Sequence, residues 1–300
     1  MSHDHGSGGR AGARYRRPLA ITFASVVVFM AVETVTALLA NSLALLSDAG
    51  HMLTDAVGLG MALAAITAAS RAEGNGHYTF GLYRLEILAA LANAALLLGV
   101  GAYVLYEAAG RFQDPPDVIG APVLGVAVGG LVVNLTGLWL LRAGSHQSLN
   151  LQGAYVEVLA DLLGSVAVVI AAAVMITTGW PYADPLFGAA IGVFILPRAV
   201  RLGRQALRVL LQAAPHGLDL QTLRTTLEAI EGVVDVHDLH VWTLTSEMDV
   251  ASLHLRTRER TDPHPVLDQA RSLLRDRYGI AHATLQVEPE SHEGCAEIRW

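Results

Sequence analysis

The stretch Ser47-Asp48-Ala49-Gly50-His51-Met52-Leu53-Thr54-Asp55 places two carboxylates and an imidazole inside a segment that otherwise reads as membrane-spanning. An ionised side chain at the centre of a bilayer costs about 2.5–3.5 kcal/mol on the milder insertion scales, so such groups persist only when paired, wetted or bound to something. On a helix, His51 and Asp55 stand at i and i+4, one above the other on the same face. That is half of a metal site. Both fold and function turn on where the other half lies.

Working outward, the surrounding composition is that of an integral membrane protein with some soluble mass attached. Of 300 residues, 53% are apolar and 16% are charged, and the mean hydropathy is +0.43; soluble domains carry roughly 25% charged residues. Residues 1–200 are largely apolar, whereas residues 201–300 have the makeup of an ordinary polar domain. The net charge of −7 argues against nucleic acid as a partner. The single cysteine, Cys295, excludes an intrachain disulfide framework and any cysteine-rich zinc module. The first apolar run follows a polar, Arg-containing lead and is long enough to span rather than be clipped, so no cleavable signal peptide is expected.

Hydropathy predicts six spans within residues 18–204: Pro18 to about Ala40, Leu43 to Ala69, Leu85 to Ala109, Val118 to Leu141, Leu151 to Thr178, and a shorter sixth from Pro185 to Val200. Residues 1–17 read as a disordered, Gly-rich basic tail. Arg10, Arg14, Arg16, Arg17, Arg71, Arg142 and the run Arg198, Arg201, Arg204, Arg208 fall on one side; Arg111 falls on the other. The positive-inside rule then puts both termini in the cytoplasm. Residues 205–300 read as a small cytoplasmic α+β domain of order αββαβ. Asp219 caps a helix stopped by Gly232, strands cover Val233 to Leu244 and Met248 to Leu255, a second helix covers Pro265 to Tyr278, and a strand covers Ala281 to Glu288.

Span five repeats the pattern of span two, with Glu157 and Asp161 again at i and i+4. Two helices, each offering a pair of donors, can close a four-coordinate nitrogen and oxygen cage from His51, Asp55, Glu157 and Asp161. Asp48, three residues before His51, is placed as a supporting partner or gateway group. Buried carboxylates that merely tie helices together would explain one intramembrane acid such as Glu33. They explain two i,i+4 pairs in separate spans poorly.

Four stretches carry a resemblance to the cation diffusion facilitator family, in its zinc-transporter branch: Asn41 to Asp55, Phe80-Gly-Leu-Tyr-Arg-Leu-Glu86, Asn150 to Asp161, and Val236-His-Asp-Leu-His-Val-Trp242. The resemblance implies a homodimeric secondary antiporter in the bacterial plasma membrane, embedded in lipid. Such a protein has six spans and a metallochaperone-like cytoplasmic domain, and exports Zn²⁺ in exchange for protons. It also implies His51, Asp55, Glu157 and Asp161 as the transport site. The family's zinc-selective pattern usually has His where Glu157 stands here, and a harder, more anionic site suits Mn²⁺ and similar ions better; the alternative within the transporter class is an exporter preferring Mn²⁺, Fe²⁺, Co²⁺ or Cd²⁺. Three neighbouring carboxylates in a low-dielectric cavity cannot all stay ionised once the metal leaves, which gives proton exchange a physical basis.

The resemblance further implies metal ligands in the cytoplasmic domain, with zinc transported and also structural or regulatory there. The ranked candidates are His237, His254, His264 and Glu288, with His282 a lesser one. Strand parity sets His237 and His240 on opposite faces, and His282 and Glu288 lie about 20 Å apart along one strand. His77, in the loop after span two, reads as a solvated loop histidine rather than part of a further site. A membrane-embedded metal-dependent hydrolase is the reading from a different class, but neither H-E-x-x-H nor G-x-S-x-G occurs.

Overall fold

The computed structural model describes the backbone of residues 7–71, 80, 84–142, 149–245 and 248–292. Side chains are described within those residues except at 7–22, 54, 55, 58, 59, 62, 63, 65–71, 137, 140–142, 149–157 and 160. Asp55, Glu157 and His77 therefore lie outside the described side chains. The chain divides into two compact units, one of Met1–Leu82 with Ala89–Arg204, the other of Tyr83–Leu88 with Gln205–Trp300.

Six long helices account for the apolar part: α1 (Ser7–Ala40), α2 (Leu43–Arg71), α3 (Arg84–Arg111), α4 (Gly120–Arg142), α5 (Leu149–Thr178) and α6 (Ala183–Leu210). Within the described residues, four carry stretches long and apolar enough to cross a membrane: Phe23–Ala40, Arg84–Arg111, Asp161–Thr178 and Ala183–Leu210. In the first unit α1 packs along α2 and α4 along α5, while α1 touches α4 and α2 touches α5. The seams are built from small residues. Ala37, Ala40, Ala44, Ala127, Ala171, Ala172 and Ala199 are all buried, which lets backbones approach closely where lipid supplies no hydrophobic drive between helices. Large apolar side chains such as Leu39, Tyr106, Trp139 and Phe194 point outward instead.

Two boundaries differ from the sequence reading. The first helix is already formed at Ser7, so part of the segment expected as a disordered tail is helical. Extending an existing helix avoids the nucleation cost, and Ala11, Ala13 and the arginines before Pro18 are good helix formers. The sixth helix runs to Leu210, well past Val200 and through Pro197. Its Arg, Leu, Ala and Gln residues sustain helix after hydrophobicity ends, because hydropathy marks the lipid boundary and not the helix boundary.

The corner between α1 and α2 is fixed from a distance. Asn41 adopts φ 56°, and the following Ser42 begins the turn into α2. Asp184 at the start of α6, fully buried, accepts hydrogen bonds from Ser42 Oγ (2.6 Å), Leu43 N (2.6 Å) and Ala44 N (3.2 Å). Arg111 at the end of α3 donates to Asn41 O at 2.6 Å and lies 3.5 Å from Asp184 Oδ2. A carboxylate satisfying the orphan N–H groups of a helix N-terminus is favoured by both hydrogen bonding and the helix dipole.

The second unit contains α7 (Leu220–Glu228), β1 (Val233–Thr245), β2 (Met248–Thr257), α8 (Pro263–Tyr278) and β3 (His282–Pro289). The sheet order is β1-β2-β3, with β1 and β2 antiparallel and β2 and β3 parallel. A parallel pair needs a crossover, and α8 is that crossover. Leu223 and Leu227 of α7 and Val266, Ala270 and Leu274 of α8 form one core with Val236, Val241, Leu253 and Leu255 of the sheet. Asp219 caps α7 by accepting from Gln221 N. That helix ends at Glu228, earlier than Gly232, because Gly232 with φ 90° serves the next turn into β1. Gly279 closes α8 in the left-handed conformation at φ 73°, as a helix C-terminus favours.

Candidate metal centres

The first site lies where α2 meets α5. His51 is buried, and its Nε2 sits 2.8 Å from Oδ1 of Asp161. The contact sets His51 and Asp161 on the facing sides of α2 and α5. Asp55 and Glu157 share those helices, but their side chains lie outside the described residues.

Other charged or polar groups surround this pair. Asp48 is buried on α2 one turn before His51. Its Oδ1 lies so close to α5 that a Cβ added at Gly164 would stand 2.6 Å away. Glycine at 164 is what admits the carboxylate. Glu33 on α1 is 1% exposed, and neither carboxylate oxygen has a hydrogen-bond partner among the described residues. It is near enough to Asp48 and Asp161 to be repelled by both. On α5, Ser165 Oγ accepts from Asn134 Nδ2 at 3.2 Å. A cationic group completes the set: Arg198 of α6 brings Nη1 to 3.4 Å from His51 Nε2. From sequence alone Arg198 is one of the positive run after span six, and Glu33 a tie between helices.

The second site is on the sheet. His237, His254 and Glu288 each offer a donor atom within 4.8 Å of the others. Register creates this cluster: His237 pairs with His254 across β1 and β2, and His254 with Gln286 across β2 and β3, two residues before Glu288. His254 Nδ1 lies 3.0 Å and His237 Nε2 3.6 Å from the Glu288 carboxylate. The two rings meet edge to face with centroids 5.2 Å apart. Behind each imidazole stands another carboxylate, Asp235 at 3.4 Å from His237 Nδ1 and Asp238 at 4.0 Å from His254 Nε2. Carboxylates there orient the rings and raise their basicity toward a metal. Gln286 Nε2 donates to Glu288 Oε1 at 2.6 Å and holds it. Two imidazoles and one carboxylate fit Zn²⁺ or a similar ion with one coordination position left over.

His264 and His282 are not brought to this cluster. His264 is exposed in the first turn of α8, and His282 is exposed at the far end of β3 from Glu288. His240 does not lie on the opposite face from His237 as period-two alternation predicts. A bulge between His237 and His240 matches them to His254 and Ser252, which share a face of β2. His240 instead pairs with Asp238 at 2.9 Å. Asp235, Asp238 and Gln286 were missed, although Asp235-Val-His237-Asp238 already set acids beside the histidine.

Comparison with known proteins agrees with both halves of this architecture. Residues 19–211 match the family described as "Cation efflux transmembrane domain", and residues 215–290 that described as "Cation efflux protein, cytoplasmic domain". The chain is 42% identical to the metal cation efflux system protein CzcD of Cupriavidus metallidurans, over 96% of this chain and 89% of that protein. It is 40% identical to zinc transporter ZitB of Escherichia coli, over 98% of this chain and 94% of the relative. It is 36% identical to the "Cadmium, cobalt and zinc/H(+)-K(+) antiporter" of Bacillus subtilis, over 97% and 93%. A solved metal-bound C-terminal domain of the CzcD transporter is 33% identical over 24% of this chain and 99% of that one, with a TM-score of 0.23. These relatives are transporters and not enzymes, which leaves the hydrolase reading without support. The chain is an integral membrane protein of the cation efflux, or cation diffusion facilitator, family.

Proposed function

We propose that the chain exports divalent cations from the cytoplasm, zinc foremost, in exchange for protons. The transport site is His51, Asp55, Glu157 and Asp161. The observation that carries this reading is the 2.8 Å approach of His51 to Asp161 between α2 and α5. It joins the two helices at positions one turn from the other two donors. Relatives named as zinc, cadmium and cobalt transporters support the ion class.

In this reading all six long helices of residues 18–204 span the bilayer, both termini are cytoplasmic, and residues 205–300 form the cytoplasmic domain of a homodimer in a bacterial plasma membrane. The trio His237, His254 and Glu288 holds a structural or regulatory metal there. Proton exchange follows from the acids around His51. Acids that share a divalent cation are left as like charges when it departs and take up protons in its place, and its return releases them.

Glu157 favours a second reading of selectivity, in which Mn²⁺ or a similarly hard divalent ion competes well with Zn²⁺, because carboxylate is a harder ligand than imidazole. The test is proton-driven uptake into sealed vesicles across Zn²⁺, Cd²⁺, Co²⁺ and Mn²⁺, for the natural chain and Glu157→His. Sharpened zinc preference in the variant supports the assignment of Glu157. An unchanged metal profile removes it.

A further inference from the structure

Arg198 is a permanent cation placed beside a cation's ligand. A guanidinium offers only donors and is not deprotonated in proteins. Its Nη1 stands 3.4 Å from His51 Nε2, the same atom that lies 2.8 Å from Asp161 Oδ1. An ion bound through Nε2 would sit about 2.1 Å from that nitrogen and directly against the guanidinium. The two positive charges cannot share the pair.

The helices show from which side Arg198 arrives. Asp184, the second residue of α6, accepts from the backbone N of Leu43, the first residue of α2, at 2.6 Å. Gly188 lies against the backbone of Leu43 and Ala44. The two helices thus start together, and further along the long Arg198 side chain reaches from α6 to His51. Counted at about 1.5 Å per residue from the level where Gly188 meets Leu43, His51 stands about 12 Å and Arg198 about 15 Å along. Arg198 is rooted nearer the C-terminal end of α2 and reaches back to His51.

We propose that Arg198 is a tethered stand-in for the transported ion. It stands beside His51 when the site is empty, and an ion arriving at His51 Nε2 must displace it. This rests on the transport reading above, in which the C-terminal end of α2 faces the cytoplasm and Arg198 stands on the entry side. The return of Arg198 after the ion leaves offsets the charge of Asp161 and lowers the affinity of the emptied site for recapture. An arginine serving only as a lipid-headgroup anchor, as the exposed neighbours Arg201 and Arg204 do by position, has no reason to turn toward His51.

The test measures Zn²⁺ and Cd²⁺ binding by titration calorimetry on the full chain in detergent. Every arm carries His254→Ala to remove the cytoplasmic site. Arg198→Met is expected to bind either ion roughly tenfold tighter, since a like-charge conflict is removed, and Arg198→Lys to remain nearer the parent. Arg198→Gln carries the same expectation as Arg198→Met if the latter does not purify folded. Vesicle flux of the neutral variants should show a lower KM and a lower maximal rate, because release becomes slow. Unchanged or weaker binding in both neutral variants overturns the proposal. If the parent with intact Arg198 binds no ion at His51 and Asp161, the transport reading itself fails, and this inference falls with it.

Discussion

Asp48 on α2 and Gly164 on α5 fit together so closely that a methyl group at 164 would stand 2.6 Å from the carboxylate oxygen. The missing side chain of one residue is the space for the charge of the other. Gly164→Ala must push Asp48 aside, at a cost of about 1–3 kcal/mol for overpacking a buried seam. The expected outcome is a lower Tm in detergent and reduced metal flux. Gly125→Ala in α4 is the control, because nothing lies within 4 Å of its added methyl.

The Asp184 anchor leads to a second prediction. Its carboxylate satisfies two backbone N–H groups and a hydroxyl at the start of α2, in full burial. Asp184→Ala leaves those donors unpaired, each costing about 1–3 kcal/mol, and should lower thermal stability more than any single substitution on the lipid-facing surface. Arg111→Met should cost less, because its bonds to Asn41 are exposed to solvent and it contacts Asp184 only at 3.5 Å. Melting curves of the purified chain check the order. Equal losses would contradict it.

Metal linkage separates the cytoplasmic histidines. A ligand present at about 100 times its Kd stabilises the folded state by about 2.7 kcal/mol. Added Zn²⁺ should therefore raise the unfolding temperature of the cytoplasmic unit, and His237→Ala, His254→Ala and Glu288→Ala should each abolish most of that rise. His264→Ala and His282→Ala should leave it intact. Loss in either of the last two would return them to the ligand set.

A pH dependence follows from the α7 cap. Hydrogen bonds from Thr222 Oγ1 and then from Gln221 N hold the Asp219 carboxyl below the usual carboxylate range. A group whose pKa is depressed by folding contributes stability above its unfolded pKa, and that contribution is lost as pH falls through the folded value. Metal-free natural chain should lose stability on acidification below the ordinary Asp range slightly more steeply than Asp219→Ala. Identical acid profiles for the two would dismiss the cap's role. Full exposure of Asp219 keeps the effect small.

Much of this was legible in the sequence, for identifiable reasons. Hydropathy and length revealed the long helices, and i, i+4 spacing pointed to His51 and Asp161, which meet at 2.8 Å. Alternation and capping residues outlined the αββαβ unit, including Asp219 and Gly279. Less legible were features set by distant partners. Asp184 binds a backbone 141 residues away, and no local pattern announces that. Arg198 looked like one more positive-inside arginine, since its turn toward His51 depends on how α6 packs beside α2. The bulge after His237 overrode period-two parity at His240, because one extra residue resets which side chains share a face.

The most direct test of the central claim is Zn²⁺ flux in sealed vesicles under an imposed pH gradient, comparing the natural chain with His51→Ala and Asp161→Asn. Zn²⁺ is expected to move opposite to the proton gradient in the natural chain, to stop when the gradient is dissipated, and its flux to fall by well over tenfold in both variants, more than removing a residue that merely orients a ligand. Flux indifferent to the gradient would contradict the antiport. Flux that survives both substitutions would contradict the site.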